Sequence, residues 1–303
     1  MFGSKPLSKV KVENLNKKFG QYQNTFNRMF NKKAEKMQTS FAKVTYVLHF
    51  TGDVYASQVQ KFRDEVTSII FSQAKETYKG TALVKLDSPG GTVTGYGLLA
   101  EQIKRLRSHG FYVVVAVDQV AASGGYMAAV CADKIIAAPS AVIGSVGVVA
   151  QVPNYKELLD KIGVKYKDYT AGKFKRTVTP YSDPTPEAEE HFTQSLERVH
   201  KEFKEHIKEN RPNVDVEAIG TGEHWSAREA LDLGLIDHLG VYDEVLLQCI
   251  NDSLVLYVYH DKPKKGLFGG TKSMAEMVID KVVERVEHHI VKRLHQDDFT
   301  NIR

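Results

Sequence analysis

The sequence predicts an α/β protein built around a largely parallel sheet. Two observations indicate this: β-branched strand segments alternate with helical segments along most of the chain, and glycine-rich turns follow two of the strands. Such alternation is typical of parallel sheets flanked by helices. With 303 residues, 42% of them hydrophobic and 26% charged, the chain can bury a sizeable core and is too apolar to be disordered.

Each element follows from its own pattern. Runs of β-branched and aromatic residues predict strands at 44–50, 82–86 and 112–117, in the strings KIIAA and VGVVAQ, and at 254–259. Apolar residues three or four positions apart predict helices at 57–74, around Leu99, Ile103 and Leu106 up to Gly110, at 185–210, at 226–233 and from about 243. The long helix should begin with Thr185 as N-cap and Pro186 at the first helical position.

Both ends of the chain are predicted to lie outside this domain. Residues 1–40 hold nine lysines and arginines against two acidic residues and should form a basic stalk or linker. This stalk is either a solvated, partly helical tail or a segment lying against anionic lipid. Residues 41–260 should form one domain, followed by a linker at 261–272. An amphipathic helix at 273–303 should then pack against the body or a neighbouring subunit.

Composition excludes several classes of protein. The basic excess belongs to the leader and not to a folded face, so no nucleic-acid partner is expected. Cys131 and Cys249 lie in apolar strings with no second cysteine or histidine at ligand spacing, which predicts core thiols and no metal site. No stretch reaches the roughly 18 apolar residues that span a bilayer, and the first residues lack a signal peptide's apolar region. The chain as given is therefore expected to be soluble.

Two glycine turns could carry chemistry. The first, Asp87–Thr92, can bind a phosphate, form an oxyanion hole or simply turn the chain, since adjacent glycines expose backbone N–H groups. The second places Ser123 in the string AASGGY, between a buried strand and a small-residue helix. There a serine is either an acyl-transfer nucleophile or a helix N-cap.

A serine nucleophile needs a base. None of the eleven histidines stands in a comparable glycine-marked setting, although a Ser-His-Asp triad is not excluded. A lysine enclosed by apolar groups is the other option, and Lys173 and Lys175 in AGKFKRT are the candidates.

Five strings, in this order, resemble the signal peptide peptidase A family of proteases: SPGG, AASGGYMAA, IGSVGVV, AGKFKRTVTP and TGEHWSAREALDLGLID. The resemblance covers roughly residues 44 to 260 and is nearest to the shorter, single-domain SohB-type branch of Gram-negative bacteria. It implies a ClpP/crotonase-type fold of stacked ββα units. It also implies a serine endopeptidase with a Ser–Lys dyad, acting on short or unfolded peptides such as cleaved signal peptides.

The resemblance also implies a role for each residue of the site. Ser123 matches the nucleophile and Lys175 the base, while Ser145 matches a serine that hydrogen-bonds the lysine. Gly91 and the N–H of Gly124 match the oxyanion hole. Neither a metal nor a cofactor is implied.

Partners and location follow from the same resemblance. It implies an anchor, absent from this chain, that holds the protease domain on the periplasmic side of the inner membrane. A basic stalk beside a membrane argues for the cytoplasmic side instead. A single protease domain per chain further implies a homo-oligomeric ring in which a neighbour completes each site. Two rivals remain: a crotonase-like acyl-CoA enzyme and a non-catalytic scaffold of the same fold.

Overall fold

The computed structural model describes residues 10–30, 33, 41–73 and 80–261. Its strands are β1 (Val10–Asn14), β2 (Val44–Thr51), β3 (Thr81–Asp87), β4 (Tyr112–Val117), β5 (Val120–Ala122), β6 (Lys134–Ala137), β7 (Val142–Gly144), β8 (His224–Ser226), β9 (His238–Leu239) and β10 (Leu254–His260). Its helices are α1 (Leu15–Met29), α2 (Val59–Ser72), α3 (Val93–Ser108), α4 (Gly124–Ala129), α5 (Lys156–Lys161), α6 (Pro186–Asn210), α7 (Val216–Ile219), α8 (Ala227–Asp232) and α9 (Tyr242–Asp252). The predicted C-terminal helix, and the predicted linker after Asp261, lie outside the described residues.

The strands form one large and one small sheet. The large sheet has the order β1-β10-β2-β3-β4-β6-β9 and is parallel except for β1, which pairs antiparallel with β10. The small sheet has the order β5-β7-β8. Consecutive strands alternate between the sheets: β4 lies in the large sheet and β5 in the small one before α4, and β6 and β7 repeat the step. The α/β prediction, with stacked ββα units, is confirmed.

Two hydrophobic cores cover the two faces of the large sheet. Alternate residues of a strand point to opposite faces, so on β2 Leu48 joins one core while Val47 joins the other. The larger core packs the sheet against α2, α3 and α4. The smaller packs the other face against α1 and α9, where Leu15, Tyr242 and Leu246 are buried.

Part of the leader lies in the body, in contrast to the stalk predicted for residues 1–40. β1 forms an edge strand, with Val10 paired to His260. Asn16, on α1, is buried: its amide donates to the carbonyls of Ile250 and Ser253 at 2.9 Å, and its Oδ1 accepts from Val255 N–H at 2.7 Å. Through these three hydrogen bonds to backbone groups, the Asn16 side chain holds α1 against the sheet. The polar composition of the leader gave no sign of this docking.

The string VGVVAQ is not a strand, contrary to prediction. The strand β7 ends earlier, at Gly144, and the chain leaves the sheet at Ser145, whose φ is 53°. Elsewhere local signals are confirmed: Thr185 Oγ1 caps α6 by accepting from Ala188 N–H at 3.2 Å.

Burial raises the pKa of the Cys131 thiol to about 12, as expected of a core thiol. Within the described ranges, no helix combines the length and apolar character that crossing a membrane requires.

Candidate active site

Ser123 stands at a sharp turn between β5 and α4. Its φ of 50° and ψ of −120° are unusual for an L-residue, so the surrounding hydrogen bonds must hold it. The Ser123 N–H donates to Gly144 O at 2.7 Å, and its carbonyl accepts from Met127 N–H at 2.9 Å. Although Ser123 occupies the N-cap position of α4, its side chain makes no capping hydrogen bond. The hydroxyl is therefore not committed to holding the helix.

The two glycine turns lie in contact with each other. Ser88 forms a parallel bridge with Ala121, which aligns the end of β3 with β5. At Gly90, whose φ is +95°, an added Cβ would lie 2.7 Å from Ser123 Cβ and 2.8 Å from Gly124 N. Only glycine permits both this backbone conformation and this approach.

Two backbone amides at this contact remain available to a ligand. The Gly90 N–H donates to Ser88 Oγ at 3.1 Å, and the Thr92 N–H donates to Val54 O at 2.8 Å. Between them, the Gly91 N–H has no acceptor among the described residues, and neither has that of Gly124. Two uncommitted N–H donors beside a serine hydroxyl are what an oxyanion hole requires.

Ser145 reaches the same place from the small sheet. It follows β7, whose Gly144 pairs with Ala122 of β5, the residue before Ser123. The Ser145 N–H donates to Glu223 O at 2.7 Å, and its Oγ donates weakly to Gly222 O at 3.4 Å. A loosely bonded hydroxyl of this kind can take another partner.

These residues open onto one cavity of about 880 Å³. Its lining includes Gly91, Ser123, Gly124 and Ser145, with the apolar side chains Val54, Met127, Val149, Val199 and Phe203. His200 is the titratable side chain on its wall among the described residues, and its Nε2 is 3.2 Å from Val146 O. A mostly apolar cavity beside a serine suits an apolar side chain of an extended peptide.

Lys175 does not line this cavity. It lies in an exposed segment, residues 150–176, in which no residue is buried; we call this segment the arm. The arm is attached to α6, because Lys173 pairs with Glu187 at 2.5 Å and the Phe174 ring stacks on His191 at 3.8 Å. The structure thus brings four of the five predicted site residues together and leaves the predicted base on the surface of the same chain.

Two family models match the chain. The model described as peptidase family S49 matches residues 105–253, and that of the S49 N-terminal region matches residues 4–103. The chain belongs to peptidase family S49. The second match spans β1 and α1, so the part of the leader that docks on the sheet lies within the family's N-terminal region. Membership in S49 makes the chain a peptidase.

Individual proteins that are similar to this chain are also described as proteases. A probable protease SohB of Haemophilus influenzae is 42% identical over 254 residues, which cover 84% of this chain and 71% of that protein. A probable protease SohB of Buchnera aphidicola subsp. Schlechtendalia chinensis is 42% identical over 235 residues, 74% of this chain and 76% of that one. The SohB-type resemblance is therefore confirmed.

A solved structure is also similar. It is a mutant of a membrane-bound stomatin-specific protease with a substrate peptide, at a TM-score of 0.46 and 16% identity, covering 80% of this chain and all of that one.

Sequence reasoning missed Ser88, Tyr96 and His200, which surround the predicted residues. Ser88 was visible only as the first letter of a glycine turn, and Tyr96 and His200 as ordinary helix residues. Their contacts are tertiary, so spacing along the chain carried no signal for them.

Proposed function

We propose that this S49 peptidase is a serine endopeptidase in which Ser123 is the nucleophile and Lys175 the base. The observation that carries the proposal is the Ser123 hydroxyl, free of its helix and beside the uncommitted amides of Gly91 and Gly124. The serine type of the reaction rests on this geometry and on the resemblance, whereas the identity of the base rests on the resemblance.

The reaction proceeds in two halves. Lys175, as the free amine, takes the Ser123 proton while Oγ attacks the peptide carbonyl carbon, and the carbonyl oxygen becomes an oxyanion held by Gly91 and Gly124. The lysine then gives its proton to the leaving amine as the C–N bond breaks. Water, deprotonated by the same amine, attacks the acyl-enzyme and restores Ser123. Ser145 accepts a hydrogen bond from the lysine and orients it.

The base comes from a neighbouring copy of the chain. Within one chain Lys175 lies on the exposed arm, away from the cavity. The arm also exposes large apolar side chains, including Ile162 at 63% and Tyr169 at 90%. A surface of this kind is typical of an interface. An arm that covers the next chain's cavity would enclose Lys175 among apolar groups, an environment that favours the free amine.

We propose that this contact is head-to-tail, with each arm covering the cavity of the next chain. Head-to-tail contacts close into rings when the rotation permits. A ring of enclosed sites admits short or unfolded peptides and excludes folded proteins. Together with the apolar cavity, this supports cleaved signal peptides as substrates.

We place the peptidase on the periplasmic side of the inner membrane, where the resemblance puts the protease domain. The basic leader opposed this location when it was treated as a stalk beside the membrane. Part of this leader instead docks on the sheet, where Lys11 bonds Asp261 at 2.6 Å and Lys18 bonds Glu13 at 3.1 Å. A topology reporter fused after Arg303 tests the location.

Ser123→Ala tests the nucleophile. Peptide hydrolysis should fall more than about 10³-fold, because the acyl-enzyme can no longer form. A fluorophosphonate probe should label the wild type and not the variant. The exposed Ser140→Ala is a matched control that should keep activity and labelling. Hydrolysis by the Ser123→Ala protein at more than a few percent of the wild-type rate would contradict the proposal.

A further inference from the structure

Ser88 and Tyr96 form a buried hydrogen-bond chain beside the glycine turns. The Tyr96 hydroxyl donates to Asp53 O at 2.8 Å. The hydroxyls of Tyr96 and Ser88 are hydrogen-bonded to each other, and Ser88 Oγ accepts from Gly90 N–H at 3.1 Å. Ser88 and Tyr96 both have no exposed surface, so water does not substitute for any of these bonds.

The protons in this chain can point only one way. A backbone carbonyl only accepts, so the single Tyr96 proton goes to Asp53 O. The Tyr96 oxygen must then accept a hydrogen bond from the Ser88 hydroxyl, which donates its only proton to it. A remaining lone pair of Ser88 Oγ accepts the Gly90 N–H, which fixes the Pro89–Gly90 peptide, one residue before the Gly91 amide.

The Tyr96 ring also contacts the second turn. A Cβ added to Gly124 would lie 2.5 Å from the ring's Cγ, so the ring packs directly against the Gly124 backbone. At Gly52 an added Cβ would lie 2.2 Å from the Tyr96 hydroxyl oxygen and 2.3 Å from Ser88 Oγ. One side chain therefore touches the backbone of one proposed oxyanion donor and is hydrogen-bonded, through Ser88, to the turn that carries the other.

We propose that Tyr96 and Ser88 are positioning residues that set the Gly91 and Gly124 amides at the separation the oxyanion requires. This inference rests on the proposed serine mechanism and adds the residues that align its oxyanion hole. Both act through the backbone, and neither needs to touch the substrate. Loss of either hydroxyl should therefore weaken binding of the transition state and leave binding of the uncleaved peptide unchanged.

Tyr96→Phe is the main test, because it keeps the ring and removes only the hydroxyl. We expect kcat to fall about 10- to 100-fold while KM stays within about twofold, as for a misplaced oxyanion donor. Ki for a peptide aldehyde, whose adduct places an oxygen in the oxyanion hole, should rise by a similar factor. Ki for the corresponding peptide alcohol, which forms no adduct, should not change.

Two further variants separate positioning from general loss of stability. Tyr242→Phe removes another buried tyrosine hydroxyl, bonded to His49 Nε2 at 2.9 Å on the other face of the sheet, and should leave kcat and both Ki values unchanged. Ser88→Ala combined with Tyr96→Phe should be about as slow as the slower single variant, since both break one chain.

These experiments distinguish failure of the positioning role from failure of the proposed function. An unchanged kcat in a folded Tyr96→Phe protein overturns the positioning role, as does a parallel rise of aldehyde and alcohol Ki. Activity retained by Ser123→Ala overturns the proposed function itself. A silent Tyr96→Phe beside a dead Ser123→Ala removes only the inference made here.

Discussion

At the scale of single residues, Ser123 shows how the site stores strain. Its positive φ costs of the order of 1–2 kcal/mol relative to an ordinary backbone conformation, and the 2.7 Å bond from its N–H to Gly144 O helps to hold it there. In this conformation the Ser123 hydroxyl does not accept a capping hydrogen bond from the first turn of α4. An N-cap serine and a nucleophile look the same in sequence, and only this backbone conformation separates them.

Substitution of the two arm lysines, Lys173 and Lys175, should show which of them is the base. Lys175→Ala should abolish peptide hydrolysis, because Ser123 would lose its proposed base. Lys173→Ala should keep most activity, since its pair with Glu187 joins two largely exposed side chains and such pairs contribute about 0–1 kcal/mol. Steady-state kcat/KM of both variants, with circular dichroism to verify folding, checks this. The reverse pattern would show that the base is Lys173.

How much of the site the sequence could predict differs from residue to residue. Gly91, Ser123 and Gly124 follow strands of parallel ladders, so their meeting at one edge of the structure was predictable. Ser145 came from the resemblance, and the structure places it directly after the neighbouring strand β7. The role of Lys175 came from the resemblance alone, since no residue of the arm is buried in its own chain and local pattern gave no sign of a site there.

At the scale of elements, β2 and α9 enclose a histidine that should make stability depend on pH. His49 Nε2 is hydrogen-bonded to the Tyr242 hydroxyl at 2.9 Å, and Lys85 Nζ lies 4.6 Å from the Tyr242 ring centroid. Burial, with a further contribution from the Lys85 charge, lowers the pKa of His49 to about 4. The folded chain therefore keeps His49 neutral at a pH where the unfolded chain protonates it.

The sign of the effect follows from these two values. Between about pH 6.5, where an unfolded histidine titrates, and about pH 4, the unfolded state binds more protons, so the free energy of unfolding should fall as pH falls. Urea unfolding of His49→Asn should show a shallower decline over that interval than the wild type. His238→Asn, at an exposed position, is the control and should follow the wild type. Equal slopes for the His49 variant and the wild type would contradict the assignment.

Elements with strong local signals were predicted well, and those fixed by distant contacts were not. β2, β3 and β4 are apolar runs, and α6 carries its own cap, so their existence was predictable from the sequence. The pairing of β1 with β10, and the docking of α1 through Asn16, join residues more than two hundred positions apart. VGVVAQ has strand composition, but the turn at Ser145 takes it out of the sheet.

At the scale of the whole molecule, the exposed arm predicts that the site is shared between chains. Ser123→Ala and Lys175→Ala proteins, each inactive alone, should regain partial activity when mixed under conditions of subunit exchange. Some interfaces then join an intact serine to an intact lysine. Activity assays on the mixture, with sedimentation to follow assembly, check this. A fully active monomer, or exchanged mixtures that stay inactive, would contradict a shared site.

The exposed arm also has a consequence for peptide hydrolysis before the chains have assembled. With the proposed base on a surface separate from the nucleophile, a lone chain would be inactive, and assembly itself would control the activity. Below the assembly threshold activity would rise more steeply than the amount of chain. The local density of chains would then act as the switch, and a rise in that density would turn proteolysis on.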